Sequence, residues 1–154
     1  MFEKILICLD GSKLAEQILP YAIEEAIRFR SKVVLLQIIE AHTVPVVEAG
    51  ASALAVEASA QQIERVQRDA KAYLEALTQS LREKGIEAEY VTLQGLQIGQ
   101  TIVDYANEHG VDLIAIATHG RSGLKRLVLG SVAEFVLRES GLPILVIRPK
   151  EGSV

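Results

Sequence analysis

Five short apolar runs punctuate the chain, and amphipathic stretches fill the spaces between them. The runs lie at residues 5–9, 33–39, 88–93, 111–117 and 144–147. Most are near-continuous in Ile, Val and Leu, the pattern of strands covered on both faces in a parallel sheet. The third, Ala88-Glu89-Tyr90-Val91-Thr92-Leu93, is weaker. Pro143 and Pro149 bracket the fifth.

The intervening stretches carry helical spacing. Ser12 is placed to cap a helix running to about Arg30, with Leu14, Ile18, Leu19, Ala22, Ile23 and Ala26 on its inner face. Pro20 falls inside that span and removes a backbone donor, which predicts a bend. A long helix is predicted from about Glu57 to Lys84. Its stripe, Ile63, Val66, Ala70, Tyr73, Leu74, Leu77 and Leu81, recurs at three- and four-residue steps, and Gly85 stops it. A third helix spans about 99–109, with Ile102, Val103 and Ala106 facing in and Gly110 as its stop. A fourth starts near Ser131. The resulting order, β-α-β-α-β-α-β-α-β, is that of a doubly wound α/β domain with right-handed crossovers. Residues 41–56 have no clear period and read as a connection or as a lid over a ligand.

Composition narrows the function classes. The 154 residues suit one domain, 1–154. With 49% apolar and 23% charged residues, the chain is neither disordered nor a disulfide scaffold. A net charge of −4 argues against nucleic acid or a membrane surface as a general partner. The single Cys8 points to a reducing compartment. The N-terminus lacks a signal-peptide pattern, and no apolar run approaches the ~20 residues of a membrane helix. The expected location is the cytoplasm.

Ligands of open parallel sheets bind beyond the carboxyl ends of the strands, where strand order reverses. The first strand ends in Leu9-Asp10-Gly11-Ser12. The fourth ends in Ala117-Thr118-His119-Gly120-Arg121-Ser122-Gly123, then Lys125 and Arg126, then Gly130-Ser131. That segment combines glycines, hydroxyls and three basic residues, and no acid lies between Ala117 and Ala133. It feeds a helix whose first N–H groups favour an anion. These are the parts of a phosphate site. Ser131-Val132-Ala133-Glu134 equally fits a capping box that would satisfy the helix start internally. Neither a Walker loop nor the G-x-G-x-x-G fingerprint occurs.

These stretches resemble the universal stress protein family. The likeness runs from Lys4-Ile5-Leu6 to Val146-Ile147-Arg148 and rests on Leu9-Asp10-Gly11-Ser12, Leu36 to Glu40, Asp112-Leu113-Ile114, and Thr118 through Glu134. It implies an open five-stranded parallel sheet of order 3-2-1-4-5 with helices on both faces, the fold of the adenine nucleotide α-hydrolases. The family's nucleotide-binding branch resembles G-x-x-G, nine residues, then G-[ST]. Here Ala117 replaces the first glycine, followed by Gly120, nine residues and Gly130-Ser131. Alanine resists positive φ, so binding survives only if the position needs a small residue rather than that conformation.

The resemblance implies a site for ATP or another adenine nucleotide. Asp10 would accept from ribose hydroxyls, and the Ile38 backbone would read adenine. Ala117 and Gly120 would approach ribose and phosphates. Gly130, Ser131 and Val132 would donate to phosphates, with Arg121 and Ser122 nearby. Mg2+ would ride on the phosphates, since no protein cage for it is visible. It also implies a homodimer seamed along the strand at 144–147. On its own, Asp10 reads equally as a turn residue. His119 reads as a loop spacer and Cys8 as an inert core thiol.

Three function classes remain. The first is an ATP-binding stress-response or signalling module, with at most slow hydrolysis and no assignable catalytic residue. The second is a dimeric stress protein that binds no nucleotide and acts through protein–protein contacts, for which the Ala117 departure speaks. The third is an adenylate-forming enzyme. It lacks the expected S-G-G-x-D-S after strand one.

Overall fold

A computed structural model describes residues 1–40, 53–118 and 129–150. Five strands, β1 (Lys4–Leu9), β2 (Lys32–Glu40), β3 (Ala88–Gly95), β4 (Leu113–Ala117) and β5 (Ile144–Ile147), alternate with four helices. The helices are α1 (Leu19–Phe29), α2 (Ala53–Glu83), α3 (Ile98–Glu108) and α4 (Ser131–Glu139). All strand pairs are parallel, in the order β3-β2-β1-β4-β5.

Alternation along the strands builds two apolar layers. Ile5, Ile7, Leu9, Val33, Leu35 and Ala115 face one side, where they pack on Ala22 and Ala26 of α1 and Leu74 and Leu81 of α2. Leu6, Cys8, Val34, Leu36, Ile114 and Ile116 face the other, against Ile102 and Val103 of α3 and Ala133 and Val136 of α4. Each layer removes its strand residues almost wholly from water. This burial is the main driving force for the fold, about 1.5–3 kcal/mol for each large aliphatic side chain.

The first helix departs from the sequence reading. Ser12 does cap, since its Oγ accepts the Ala15 N–H at 3.1 Å. The turn it caps is a short 3-10 helix, Ala15–Ile18, and α1 begins only at Leu19. Pro20 therefore sits in the first turn of a new helix, where its missing N–H costs nothing, and no bend within one helix is needed. The long helix ends as expected. Gly85 adopts φ +79°, and Ile86 N–H reaches back to the Leu81 carbonyl at 3.1 Å. Its start at Ala53 is earlier than the periodicity indicates. Of the 41–56 stretch, residues 41–52 lie outside the described residues.

Asp112 ties the amino ends of two strands together. Its Oδ2 accepts the backbone N–H groups of Glu3 and Lys4, each at 2.9 Å. This member of the family-like pattern thus lies at the end of the sheet opposite the strand termini Leu9, Glu40 and Ala117.

Candidate functional site

The strand order reverses between β1 and β4, since β2 and β3 lie to one side of β1 and β4 and β5 to the other. The helices that follow β1 and β4, α1 and α4, pack on opposite faces of the sheet, which leaves a crevice beyond the strand ends. A cleft of about 150 Å3 opens at that point. Its floor is one row of paired residues, Leu36, Cys8 and Ile116, at equal height on β2, β1 and β4. Ile38 lies two residues further along β2 on the same face. Ile98 and Ile102, one turn apart on α3, form a wall. Asp10 and Val132 complete it at the mouth.

Asp10 is held by the turn that follows β1. Its Oδ1 accepts the Ser12 N–H at 2.9 Å, while Gly11 takes φ +81°, a conformation that a side chain would strain. The turn reading of Asp10 and its placement at the cleft are therefore both realised. The carboxylate remains exposed.

The N-cap of α4 is Gly130, with φ −60° and ψ 150°, and among the described residues no side chain caps it. Glu134 N–H bonds the Gly130 carbonyl at 2.9 Å, an ordinary first helical bond. The capping box that the sequence permits is not formed, because Ser131 occupies the first helical position rather than the cap. The N–H groups of the first turn keep the partial positive charge of a helix terminus. Val132, in that turn, touches the cleft.

Ala117 ends β4, and its backbone is not among the positive-φ positions of the described residues. An alanine fits there without strain. It is buried in the α1–α2 layer with Leu9 and Ala15, and unlike those two it is not among the residues that line the cleft. The structure thus brings Asp10, Ile38 and Val132 together, with Gly130 and Ser131 leading into Val132. Gly120, Arg121 and Ser122 lie outside the described residues, as do His119, Lys125 and Arg126.

Cys8, read as a core thiol, is also part of the cleft floor. Burial pushes its pKa up to about 12, so it stays a neutral thiol there. Its pairing with Leu36, two residues before Ile38, was available from strand alternation once the register was known. Ile98 and Ile102 were recognisable only as an inward helix face. On the opposite layer, burial first and then the Glu16 and Asp10 carboxylates raise the Tyr73 pKa. Among the described residues no cluster of three or more His, Cys, Asp or Glu could hold a metal ion.

An apolar slot ending in a carboxylate on one side and an uncapped helix terminus on the other can take a flat ring, a hydroxylated middle and an anion. The family model for the universal stress proteins matches residues 1–148. The chain belongs to the universal stress protein family. Universal stress protein YxiE of Bacillus subtilis is 30% identical over 149 residues, covering 96% of this chain and all of YxiE. Universal stress protein MJ0577 of Methanocaldococcus jannaschii is 28% identical over 160 residues, covering 99% of this chain and 98% of its own. The solved structure of MJ0577 superposes with a TM-score of 0.81 over 98% of this chain and 99% of that one. A universal stress protein solved in complex with cAMP shares the fold, with a TM-score of 0.62 at 16% identity over 96% of this chain and 97% of that one. No helix among the described residues of this universal stress protein is long and apolar enough to cross a membrane.

Proposed function

We propose that this universal stress protein binds ATP, or another adenine nucleotide, in the cleft at the β1–β4 reversal and acts as a stress-response or signalling module. The observation that carries the reading is the convergence of Asp10, Ile38 and Val132, three residues from distant segments, beside the uncapped start of α4. A universal stress protein of the same fold in complex with cAMP supports an adenine nucleotide as the ligand class.

Each residue has a role under this reading. The apolar floor packs on the base, and the Ile38 backbone meets its polar edge. Asp10 accepts from the ribose hydroxyls. Gly130, Ser131 and Val132 donate N–H groups, and Ser131 a hydroxyl, to the phosphates. Ala117, Gly120, Arg121 and Ser122 border ribose and phosphate. At about 150 Å3 the slot is smaller than the ~300–1,000 Å3 of drug-sized sites, so it suits the base while the phosphates lie toward α4. Mg2+ would neutralise phosphate charge. No residue is assigned to catalysis, and hydrolysis is at most slow.

The module is a single domain, 1–154, working in the cytoplasm as a homodimer. All four residues of β5 are half-buried and apolar, and among the described residues β5 pairs only with β4. Its second edge suits pairing with another copy. A second reading, a dimer that binds no nucleotide, draws on the Asp10–Ser12 hydrogen bond, which gives Asp10 a structural task of its own. Calorimetric titration with Mg-ATP separates the two. Saturable binding near one site per chain supports the first, and no heat at millimolar nucleotide supports the second.

A further inference from the structure

The two edges of the sheet differ in chemistry. β5 is wholly apolar. β3, at the other edge, has eight residues and contains neither the proline nor the lysine that commonly protects an edge from added strands. The Val33 N–H bonds the Glu87 carbonyl at 2.8 Å, with Val33 opposite Ala88. A parallel ladder in this phase turns the backbone groups of Glu89, Val91 and Leu93 toward β2 and those of Ala88, Tyr90, Thr92 and Gln94 outward. Arg82 Nε occupies the Ala88 carbonyl at 2.8 Å. Among the described residues, no partner takes the outward backbone groups of Tyr90, Thr92 and Gln94.

Along this edge, on the α3 side, runs a groove of about 460 Å3. Val91 and Leu93 give it an apolar floor. Asp104 and Glu108 stand on its wall, both exposed, and among the described residues no lysine or arginine lines it. The two acids are one helical turn apart, about 6 Å of rise. Every second residue of a strand falls on the same face about 6.6–6.8 Å apart. A strand laid against β3 with basic residues at alternate positions therefore matches both carboxylates, and its lysine stems cover Val91 and Leu93.

We propose that the β3 edge and its groove take up an extended basic segment of a partner protein as an added strand. Main-chain bonds to Tyr90, Thr92 and Gln94 would supply the pairing, and Asp104 and Glu108 the selection for basic side chains. A second copy of this chain is the wrong occupant, because two-fold pairing would set Asp104 and Glu108 of each copy on the same acidic wall of the other.

The test uses a blocked peptide of alternating threonine and lysine, titrated into the isotopically labelled full chain and followed by amide chemical shifts. The expected result is saturable shifts centred on Tyr90, Thr92, Gln94 and α3. Affinity should fall about tenfold or more in the Asp104→Lys/Glu108→Lys variant, whose exposed positions leave the fold intact by circular dichroism. The same peptide N-methylated at every lysine and threonine keeps its charge but cannot donate to the β3 edge in either strand direction, and should bind about tenfold more weakly or worse. No shifts at millimolar peptide, shifts centred elsewhere, equal binding by the N-methylated peptide, or an unchanged affinity in the folded double variant would each overturn the proposal.

Discussion

A β-carbon placed on Gly99 would lie 2.8 Å from Cδ1 of Phe135 and 3.0 Å from its Cβ. Gly99 is in the first turn of α3 and Phe135 in α4, so this close approach sets how near the two helices lie beside the cleft. In a free helix, Gly→Ala would stabilise by about 1 kcal/mol. Here overpacking costs roughly 1–3 kcal/mol, so Gly99→Ala should be net neutral to destabilising by up to about 2 kcal/mol. Urea denaturation measures it. In a Phe135→Ala background the same change should become less costly, and an equal cost in both backgrounds would exclude the ring as the cause.

Asp112→Ala should weaken the fold without touching the site. It removes a carboxylate that accepts two backbone N–H groups joining β1 to β4. The expected loss is roughly 1.5–3 kcal/mol, the range for hydrogen bonds to a charged group. Nucleotide affinity of the folded fraction should match the wild type. A drop in affinity with no loss of stability would reverse the assignment.

Asp10 carries both a turn and, in the proposal, the ribose. Asp10→Ala should weaken ATP by roughly 1.5–3 kcal/mol. Asp10→Asn keeps an oxygen for the Ser12 N–H, so it should retain more stability than Asp10→Ala while still losing affinity. Titration calorimetry paired with thermal melts separates the two roles. Wild-type affinity in both variants would leave Asp10 as a turn residue alone.

Gly130 has φ −60° and ψ 150°, a conformation open to any residue. Gly130→Glu should therefore fold and yet bind no nucleotide, because it sets a carboxylate at the helix start that the phosphates need. Gly130→Ala should lose much less. Unchanged affinity of Gly130→Glu by calorimetry would remove α4 from the phosphate site.

Cys8 makes stability depend on alkaline pH. Its folded pKa is raised from 9.0 to about 12 by burial. The unfolded chain therefore releases this proton first, and the thiol's contribution, complete below pH 9, is lost as pH rises toward 12. The slope between those limits is about 1.4 kcal/mol per pH unit. Cys8→Ala should flatten the stability–pH curve in that window relative to the wild type. Parallel curves would show that the native thiol ionises normally.

The sheet was legible because its signal is redundant. Val33 to Leu36 and Leu113 to Ala117 are buried on both faces, so no choice of register exposes them. The division at Pro20 was not, since proline reads alike inside a helix and in its first turn until the 3-10 turn before it is seen. Ser131 was ambiguous for a related reason. A serine three residues before a glutamate fits a capping box, and only the backbone of Gly130 decides which residue is the cap. Asp10 and Ile38 were legible through the family resemblance. Cys8, Ile98 and Ile102 were hidden as cleft residues because a cleft floor has the same composition as a core.

The central claim, a bound adenine nucleotide, is tested most directly on the purified protein itself. Denaturing it and running the released small molecules on ion-exchange chromatography with mass detection identifies any carried ligand. The account predicts ATP, ADP or AMP, or a thermal shift with millimolar Mg-ATP if the site empties during purification. An empty protein that also shows no shift would contradict it.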